Sequence, residues 1–345
     1  MDEAVTIDGS VGEGGGQMLR TALMLSVATG TPFEAHRIRA GRPVPGLRPQ
    51  HLSILEAFRD ATGATVSGAS IGSSRVGFRP GAECRKEFNI DVGTAGSVTM
   101  ILGTLAPALS AAGWASKITV TGGTDTKWAP TFDYFARVVR PLYGSFGVMF
   151  DATLHRRGYY PTGLGKVSCE VKPAASVSAP TLPPVRPLVA GIASVCSCLP
   201  PTVAERQAAS ARRSLAEAGI ESGEVSARVE DAVSPGTAAL VFAEGSFLGG
   251  DAVGERRVSA EEVGARAAAA FVACYRSGAA LDLHAGDMAL PIAALAEGRT
   301  SFSVPKLTGH MQSNIEVMKK FVKCGVEVKE AEGRVDVTVD SRGRR

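Results

Sequence analysis

His310 stands in Thr308-Gly309-His310-Met311-Gln312-Ser313-Asn314, where a strand-like apolar run gives way to a helical pattern. The positive end of a helix dipole disfavours protonation of an imidazole placed there, and a neutral imidazole is a nitrogen nucleophile. Near the other end of the chain, Gly12-Glu13-Gly14-Gly15-Gly16-Gln17 follows a short apolar run and leads into a helix. Glycines let backbone N–H groups close on an anion without Cβ interference. The loop has neither the Gly-Lys-Ser/Thr ending of a Walker A sequence nor the spacing of a dinucleotide fingerprint. Glu13 inside it would repel a phosphate unless a metal or another cation lay between them. A third group is cationic: Arg39, Arg42 and Arg48, with Gln50 and His51, on a segment held by Pro43, Pro45, Gly46 and Pro49. Arginine forks bind phosphate bidentately, and Arg20, one turn into the first helix, can join them. A tight structural turn uses the same glycines, a lone histidine can simply cap a helix, and arginines are often only solvated. These residues alone leave both readings open.

Of the five histidines, His284 stands three residues before Asp287 at a helix start, His51 follows Gln50 at another, and His36 and His155 lie in no motif. HExxH, CxxC and GxSxG are all absent, which removes the usual signatures of zinc hydrolases, paired-cysteine metal sites and serine hydrolases. Six scattered cysteines read as free thiols of a reducing compartment. The net charge of +3 does not by itself announce nucleic-acid binding. Locally, however, Arg37, Arg39, Arg42 and Arg48 have no acidic residue among them. Met1-Asp2-Glu3-Ala4 lacks the character of a secretory signal, and Gly, Pro, Ser or Arg interrupts every apolar run before transmembrane length. The expectation is a cytoplasmic protein with no membrane partner.

The elements that must position these residues recur. Periodicity gives a strand over 5–8, a helix over 16–29, a strand over 33–39, a helix over 48–62, and strands over 65–70 and 74–79: a βαβαββ unit. The order returns with a strand over 88–92, a helix over 97–112, a strand over 117–121, a helix over 130–146, and strands over 148–154 and 165–172. It returns again with a helix over 284–296, a strand over 300–304, a helix over 312–324, and strands over 327–330 and 334–339. Units of this length pack about a common axis rather than stack as a solenoid. Residues 182–279 differ in texture, with Pro183, Pro184 and Pro187 ahead of strands over 188–196 and 237–242 and alanine-rich helices over 202–218 and 260–277. The expected fold is α/β (α+β): three βαβαββ repeats in residues 1–181 and 280–345, with a small α/β domain, 182–279, inserted in the third.

Taken in order, these segments resemble the RNA 3′-terminal phosphate cyclase family nearly from end to end. The resemblance rests on Asp8-Gly9 with the glycine loop and Arg20, Arg39-Ala40-Gly41-Arg42 with Pro45-Gly46-Leu47 and Gln50-His51, and Phe78-Arg79-Pro80-Gly81. It continues in Gly93-Thr94-Ala95-Gly96-Ser97, Gly122-Gly123-Thr124-Asp125 with Pro130, Arg157-Gly158-Tyr159-Tyr160-Pro161, and His310 with Asn314-Ile315. It implies an ATP-dependent enzyme that converts an RNA 3′-phosphate to a 2′,3′-cyclic phosphate through a histidine–AMP intermediate and an RNA-adenylate, releasing pyrophosphate and AMP. His310 is then the nucleophile. Arg20, Arg39, Arg42 and Gln50 hold the terminal RNA phosphate, and His284, Asp287, Gly103 and Pro130 line the nucleotide pocket. Glu13 is the ligand of a divalent metal, Mg or Mn. The partners implied are ATP and RNA with a 3′-phosphate end.

Three positions depart from the family pattern: Leu164 interrupts a glycine run, Gly103 stands where glutamine is expected, and Met288 follows Asp287 where glutamine is usual. The enolpyruvyl transferases are built from the same unit, but their lysine and arginine pattern for phosphoenolpyruvate is absent. Non-catalytic relatives of the cyclases act as binding factors in ribosomal RNA processing. They lack the nucleophilic histidine, so His310 separates that reading from the enzyme.

Overall fold

The computed structural model describes residues 3–11, 15–93, 96–184 and 189–343. The first unit runs β1 (Val5–Asp8), α1 (Gln17–Thr29), β2 (Phe33–His36), α2 (Pro49–Thr62), β3 (Thr65–Ser67) and β4 (Val76–Arg79). Its boundaries have local causes. Helix α1 stops at Gly30, whose φ of 72° turns its N–H back to the Ser26 carbonyl, a left-handed conformation that glycine adopts without Cβ strain. Helix α2 has Pro49 in its first position, where the missing N–H has no intrahelical partner to lose. Strands β1 and β2 pair in parallel and β4 lies antiparallel between β2 and β3, giving the order β1-β2-β4-β3.

The second unit repeats this pattern with β5 (Glu87–Asp91), α3 (Val98–Ala111), β6 (Ser116–Gly122), α4 (Phe132–Tyr134), a π-helical segment Phe135–Val139, α5 (Arg140–Ser145), β7 (Phe150–Arg156) and β8 (Gly165–Val171). Its sheet order, β5-β6-β8-β7, is the same. Next come β9 (Ala190–Ser197), α6 (Thr202–Glu217), β10 (Ser222–Val229), β11 (Gly236–Ala243), β12 (Gly249–Val253) and α7 (Ala260–Arg276), a separate sheet of order β10-β9-β11-β12. The chain then closes with α8 (Leu283–Leu295), β13 (Glu297–Val304), α9 (Gly309–Phe321), β14 (Cys324–Ala331) and β15 (Arg334–Arg342).

The sheet of this third unit has the order β13-β15-β14, and its first strand comes from before the insertion. Ser178 and Thr181 bridge in parallel to Glu297 and Ser301, and the Leu182 N–H donates to the Ser301 carbonyl at 2.8 Å. The small α/β domain therefore interrupts the third unit between its first strand and its first helix.

Helices α1, α3 and α8, the first of each unit, are buried along nearly their whole length. A helix apolar on every side belongs inside, and α1 lies against both α3 and α8 at the centre of the molecule. Helices α2 and α9 keep a polar face, and Lys319 and Lys320 in the last turn of α9 oppose the negative end of its dipole. In the inserted sheet every residue of β9 is buried. One face packs with α6 and α7 around Leu215, Val263 and Phe271, while Ala193, Leu240 and Phe242 join the main core.

Sequence reading missed strands β10 and β12. It also placed the last helix three residues late: α9 begins at Gly309, and Cys324 already pairs with Ser341 as the first residue of β14. All six cysteines are free. Among the described residues no helix is long and apolar enough to cross a membrane.

A buried ion network ties the insertion to the second unit. Arg157 donates to Asp125, Asp133 and Glu230 at 2.7–3.0 Å, and Arg228 of β10 donates to Asp133 at 3.0 Å. Burial opposes the charge on Arg157, but Asp125, Asp133 and Glu230 outweigh it and raise its pKa well above the ordinary value.

Candidate functional site

Strand β13 delivers the chain into the turn before α9, so His310 sits in the first turn of that helix. Thr308 is the N-cap: its Oγ1 accepts the Met311 N–H at 2.9 Å and donates its own proton to Asp287 Oδ1. The second Asp287 oxygen, Oδ2, lies 3.1 Å from His310 Nδ1. An ionised carboxylate only accepts, so the proton of the neutral imidazole is on Nδ1 and the lone pair is on Nε2. Asp287 projects from α8 and is buried. Asn314, one turn along α9, locks the helix crossing. Its Nδ2 donates to the Asp287 backbone carbonyl at 2.7 Å, and its Oδ1 accepts from Thr21 Oγ1 at 2.6 Å and from Gln17 Nε2 at 3.2 Å. Gln17 Oε1 accepts in turn from Arg20. A continuous chain of donors and acceptors thus runs from Arg20 in the first unit to His310 in the third.

The cationic residues gather at the start of α1, where Gly16 provides no side-chain cap and the first-turn N–H groups lack intrahelical partners. A Cβ on Gly16 would fall 2.3 Å from His51 Nε2 and 3.4 Å from Arg20 Nη1, and one on Gly15 would fall 3.1 Å from Arg42 Nη2. Glycine is what lets three nitrogen-bearing side chains crowd this helix end. Burial brings the Arg20 pKa down to about 10 while neighbouring Asp287 acts in the opposite sense. Arg20 therefore remains charged at neutral pH. Arg39 adopts φ of 56° and turns Nη1 onto the Val44 and Gly46 carbonyls at 2.9 and 3.2 Å. Part of its fork thus holds the loop in shape. Burial, then Arg42 and Arg48, lower its pKa. Gln50 is exposed in the first turn of α2.

On the opposite flank, His284 is exposed at the start of α8, its ring edge-on to Tyr134 with centroids 6.2 Å apart. Beneath it, buried Asp282 accepts from Tyr134 Oη at 2.6 Å, from the Gly249 N–H at 2.8 Å, and from the His284 and Ala285 N–H groups. Burial raises the pKa of both Asp282 and Tyr134. Half-buried Pro130 accepts from Thr99 Oγ1 at 2.7 Å through its carbonyl, and the next N–H, of Thr131, donates to half-buried Asp251 at 2.7 Å. Gly103 is buried within α3.

Asp287, expected beside the nucleotide, has Thr308 and His310 as its side-chain partners. Sequence reading missed Asp282, Asp251 and Tyr134. The signal for Asp282 was its place as a helix N-cap two residues before His284. Glu13 lies outside the described residues. Among the described residues no three His, Cys, Asp or Glu side chains gather to hold a metal, and both Asp287 oxygens are already engaged. The described residues do not by themselves form a metal site.

A family model for RNA 3′-terminal phosphate cyclase matches residues 11–328. The chain is 43% identical over 346 residues to the RNA 3′-terminal phosphate cyclase of Pyrobaculum neutrophilum, covering 99% of each. It is 42% identical over 318 residues to that of Archaeoglobus fulgidus, covering 92% of this chain and 95% of the relative. The chain belongs to the RNA 3′-terminal phosphate cyclase family. Among solved structures, the enolpyruvyl transferase NikO from Streptomyces tendae aligns with a TM-score of 0.38 at 14% identity, over 99% of this chain and 50% of that one. Two departures from the cyclase family pattern are neighbours in space: a Cβ on Gly103 would lie 4.0 Å from Met288 Cε and 3.7 Å from Phe135. The volume that a larger residue would take at 103 is bordered by an apolar side chain at 288.

Proposed function

We propose that this protein converts an RNA 3′-phosphate to a 2′,3′-cyclic phosphate at the expense of ATP. His310 Nε2 attacks the α-phosphorus of ATP; a P–N bond forms and the bond to the pyrophosphate oxygen breaks. An oxygen of the RNA 3′-phosphate then displaces the histidine and takes up AMP as an RNA-adenylate. The adjacent 2′-hydroxyl attacks the 3′-phosphorus, its proton passes to solvent, and AMP leaves. Asp287 holds the His310 tautomer and balances the charge that the ring gains when Nε2 bonds to phosphorus. Arg20, Arg39 and Arg42, with Gln50, cradle the terminal phosphate beside the uncapped start of α1. His284 and Pro130 flank the nucleotide, next to Gly103. Glu13 is the proposed holder of the divalent metal, Mg or Mn.

The observation that carries this reading is the His310–Asp287 pair, set at a helix start and joined to Arg20 through one hydrogen-bonded chain. Incubation with α-labelled ATP and a divalent metal is expected to yield an acid-labile, alkali-stable protein–AMP adduct. The adduct should be lost in His310→Ala. An undiminished adduct in that variant would sink the assignment. Cyclisation of an oligonucleotide ending in a 3′-phosphate tests the later steps.

A further inference from the structure

His51 is 2% exposed, and its two ring nitrogens differ in their surroundings. Nδ1 accepts the Arg48 backbone N–H at 3.0 Å, one half of a capping box at the start of α2. A nitrogen that accepts carries no proton, so the neutral ring is protonated on Nε2. Burial, reinforced by the charges of Arg20, Arg39 and Arg48, lowers the imidazole pKa to about 4, so the ring is neutral at physiological pH. Among the described residues Nε2 has no hydrogen-bond partner. It faces Gly16 at the uncapped start of α1, 2.3 Å from the position of a Cβ there, with an Arg20 nitrogen 3.4 Å from the same point.

A buried N–H without an acceptor costs folding free energy and calls for an explanation. Among the described residues the charged groups that act on this imidazole, Arg20, Arg39 and Arg48, are all cationic, and the partner that suits it is an anion. The first-turn N–H groups of α1 point the same way.

We propose that His51 is a phosphate-binding residue, its Nε2–H donating to an oxygen of a substrate phosphate seated at the amino terminus of α1 beside Arg20 and Arg42. This rests on the cyclase reading, which supplies the phosphate, from the RNA 3′ end or from ATP. The fixed tautomer makes His51 a donor and not a general base, since its one accepting nitrogen is already engaged by Arg48. It adds a hydrogen bond to the cradle without adding charge.

The test is histidine-selective 15N NMR on the whole protein, with the His51 signals assigned from His51→Gln. Nε2 is expected to be protonated and Nδ1 not, and the Nε2–H resonance should move on adding an oligoribonucleotide with a 3′-phosphate, or ATP. The same oligonucleotide ending in a 3′-hydroxyl should not move it. Comparison of the RNA and ATP additions identifies which phosphate occupies the seat. In parallel, fluorescence anisotropy compares variants. Gln at this position offers an oxygen to the Arg48 N–H and an N–H in place of Nε2, so His51→Gln should keep the preference for the phosphate-bearing ligand. His51→Leu should lower it about tenfold, roughly one hydrogen bond to a charged group. A resonance unmoved at saturation with both phosphate ligands, or a folded His51→Leu variant with wild-type preference, overturns the proposal. Adduct formation from labelled ATP is measured on the same wild-type sample. A missing adduct removes the cyclase reading itself, whereas a normal adduct with an unmoved resonance removes only the role given to His51.

Discussion

His310 Nδ1 lies 3.1 Å from Asp287 Oδ2, and the other oxygen of the same carboxylate accepts from Thr308, the N-cap of the helix that carries His310. One buried side chain from α8 thus fixes both the orientation of the helix start and the tautomer of the ring mounted on it.

The first prediction follows from that arrangement. In Asp287→Asn the side-chain amide can donate to Nδ1 and so drive the proton onto Nε2, where it blocks the lone pair. Adduct formation from ATP should slow by about a hundredfold or more, on the scale of other carboxylate-oriented histidines. Single-turnover kinetics with labelled ATP measure it, and a rate within a few-fold of wild type would show that Asp287 does not set the tautomer.

The second concerns Arg42, whose Nη2 stands beside Gly15 at the start of α1. Arg42→Ala should retain self-adenylylation and lose cyclisation of a 3′-phosphate oligonucleotide. The reverse pattern would put this arginine on the polyphosphate of ATP.

A third addresses the flank of His284. Tyr134→Phe removes the hydroxyl that donates to Asp282 at 2.6 Å, together with its hold on the start of α8. The ATP concentration for half-maximal adenylylation should rise several-fold, with little change in the maximal rate. A fall in maximal rate at unchanged half-saturation would mean that Tyr134 acts on His310 and not on the nucleotide.

The fourth is a stability prediction with a pH sign. Arg157→Met leaves Asp125 and Asp133 buried without their principal cation, which should cost about 3–5 kcal/mol in denaturant unfolding at neutral pH. Burial alone would raise the Asp133 pKa, yet Arg157 and Arg228 outweigh it and hold the group below 3.8. Such a group contributes stability that is fully present above its unfolded-state value and is lost as pH falls through its lowered folded-state value. Wild type should therefore weaken in acid below about pH 4. The penalty in Arg157→Met should shrink as pH falls, beginning above that range, because without Arg157 burial raises the Asp133 pKa. A penalty that is independent of pH would remove the ion network as its cause.

The repeat was legible because its punctuation is chemical: Gly30 ends α1, Ser97 and Thr308 cap α3 and α9, and the first helix of each unit is apolar on every side. What stayed hidden has equally physical reasons. Strand β10 is an edge strand with five of its eight residues exposed, so no apolar alternation marks it. Strand β12 opens with Gly249-Gly250, which reads as a turn. The first strand of the third unit sits among Pro180, Pro183 and Pro184 and is held to β13 by isolated bridges. In the candidate site, residue type and spacing are enough to single out His310 and the arginines as candidates, while their roles come only with the family resemblance. The partnership of Asp287 with His310 could not be read from either, because it exists only where α8 and α9 cross.

Gln17 and Asn314, joined at 3.2 Å, are 297 positions apart in sequence. During synthesis the glycine loop and the cationic cluster leave the ribosome well before Asp287, His310 and Asn314 do. A partly translated chain therefore holds the proposed phosphate seat before the proposed nucleophile exists. On the proposed mechanism, a chain that ends before residue 310 cannot form the histidine–AMP bond, and ATP would not be drawn into unproductive adducts while the chain is still being made.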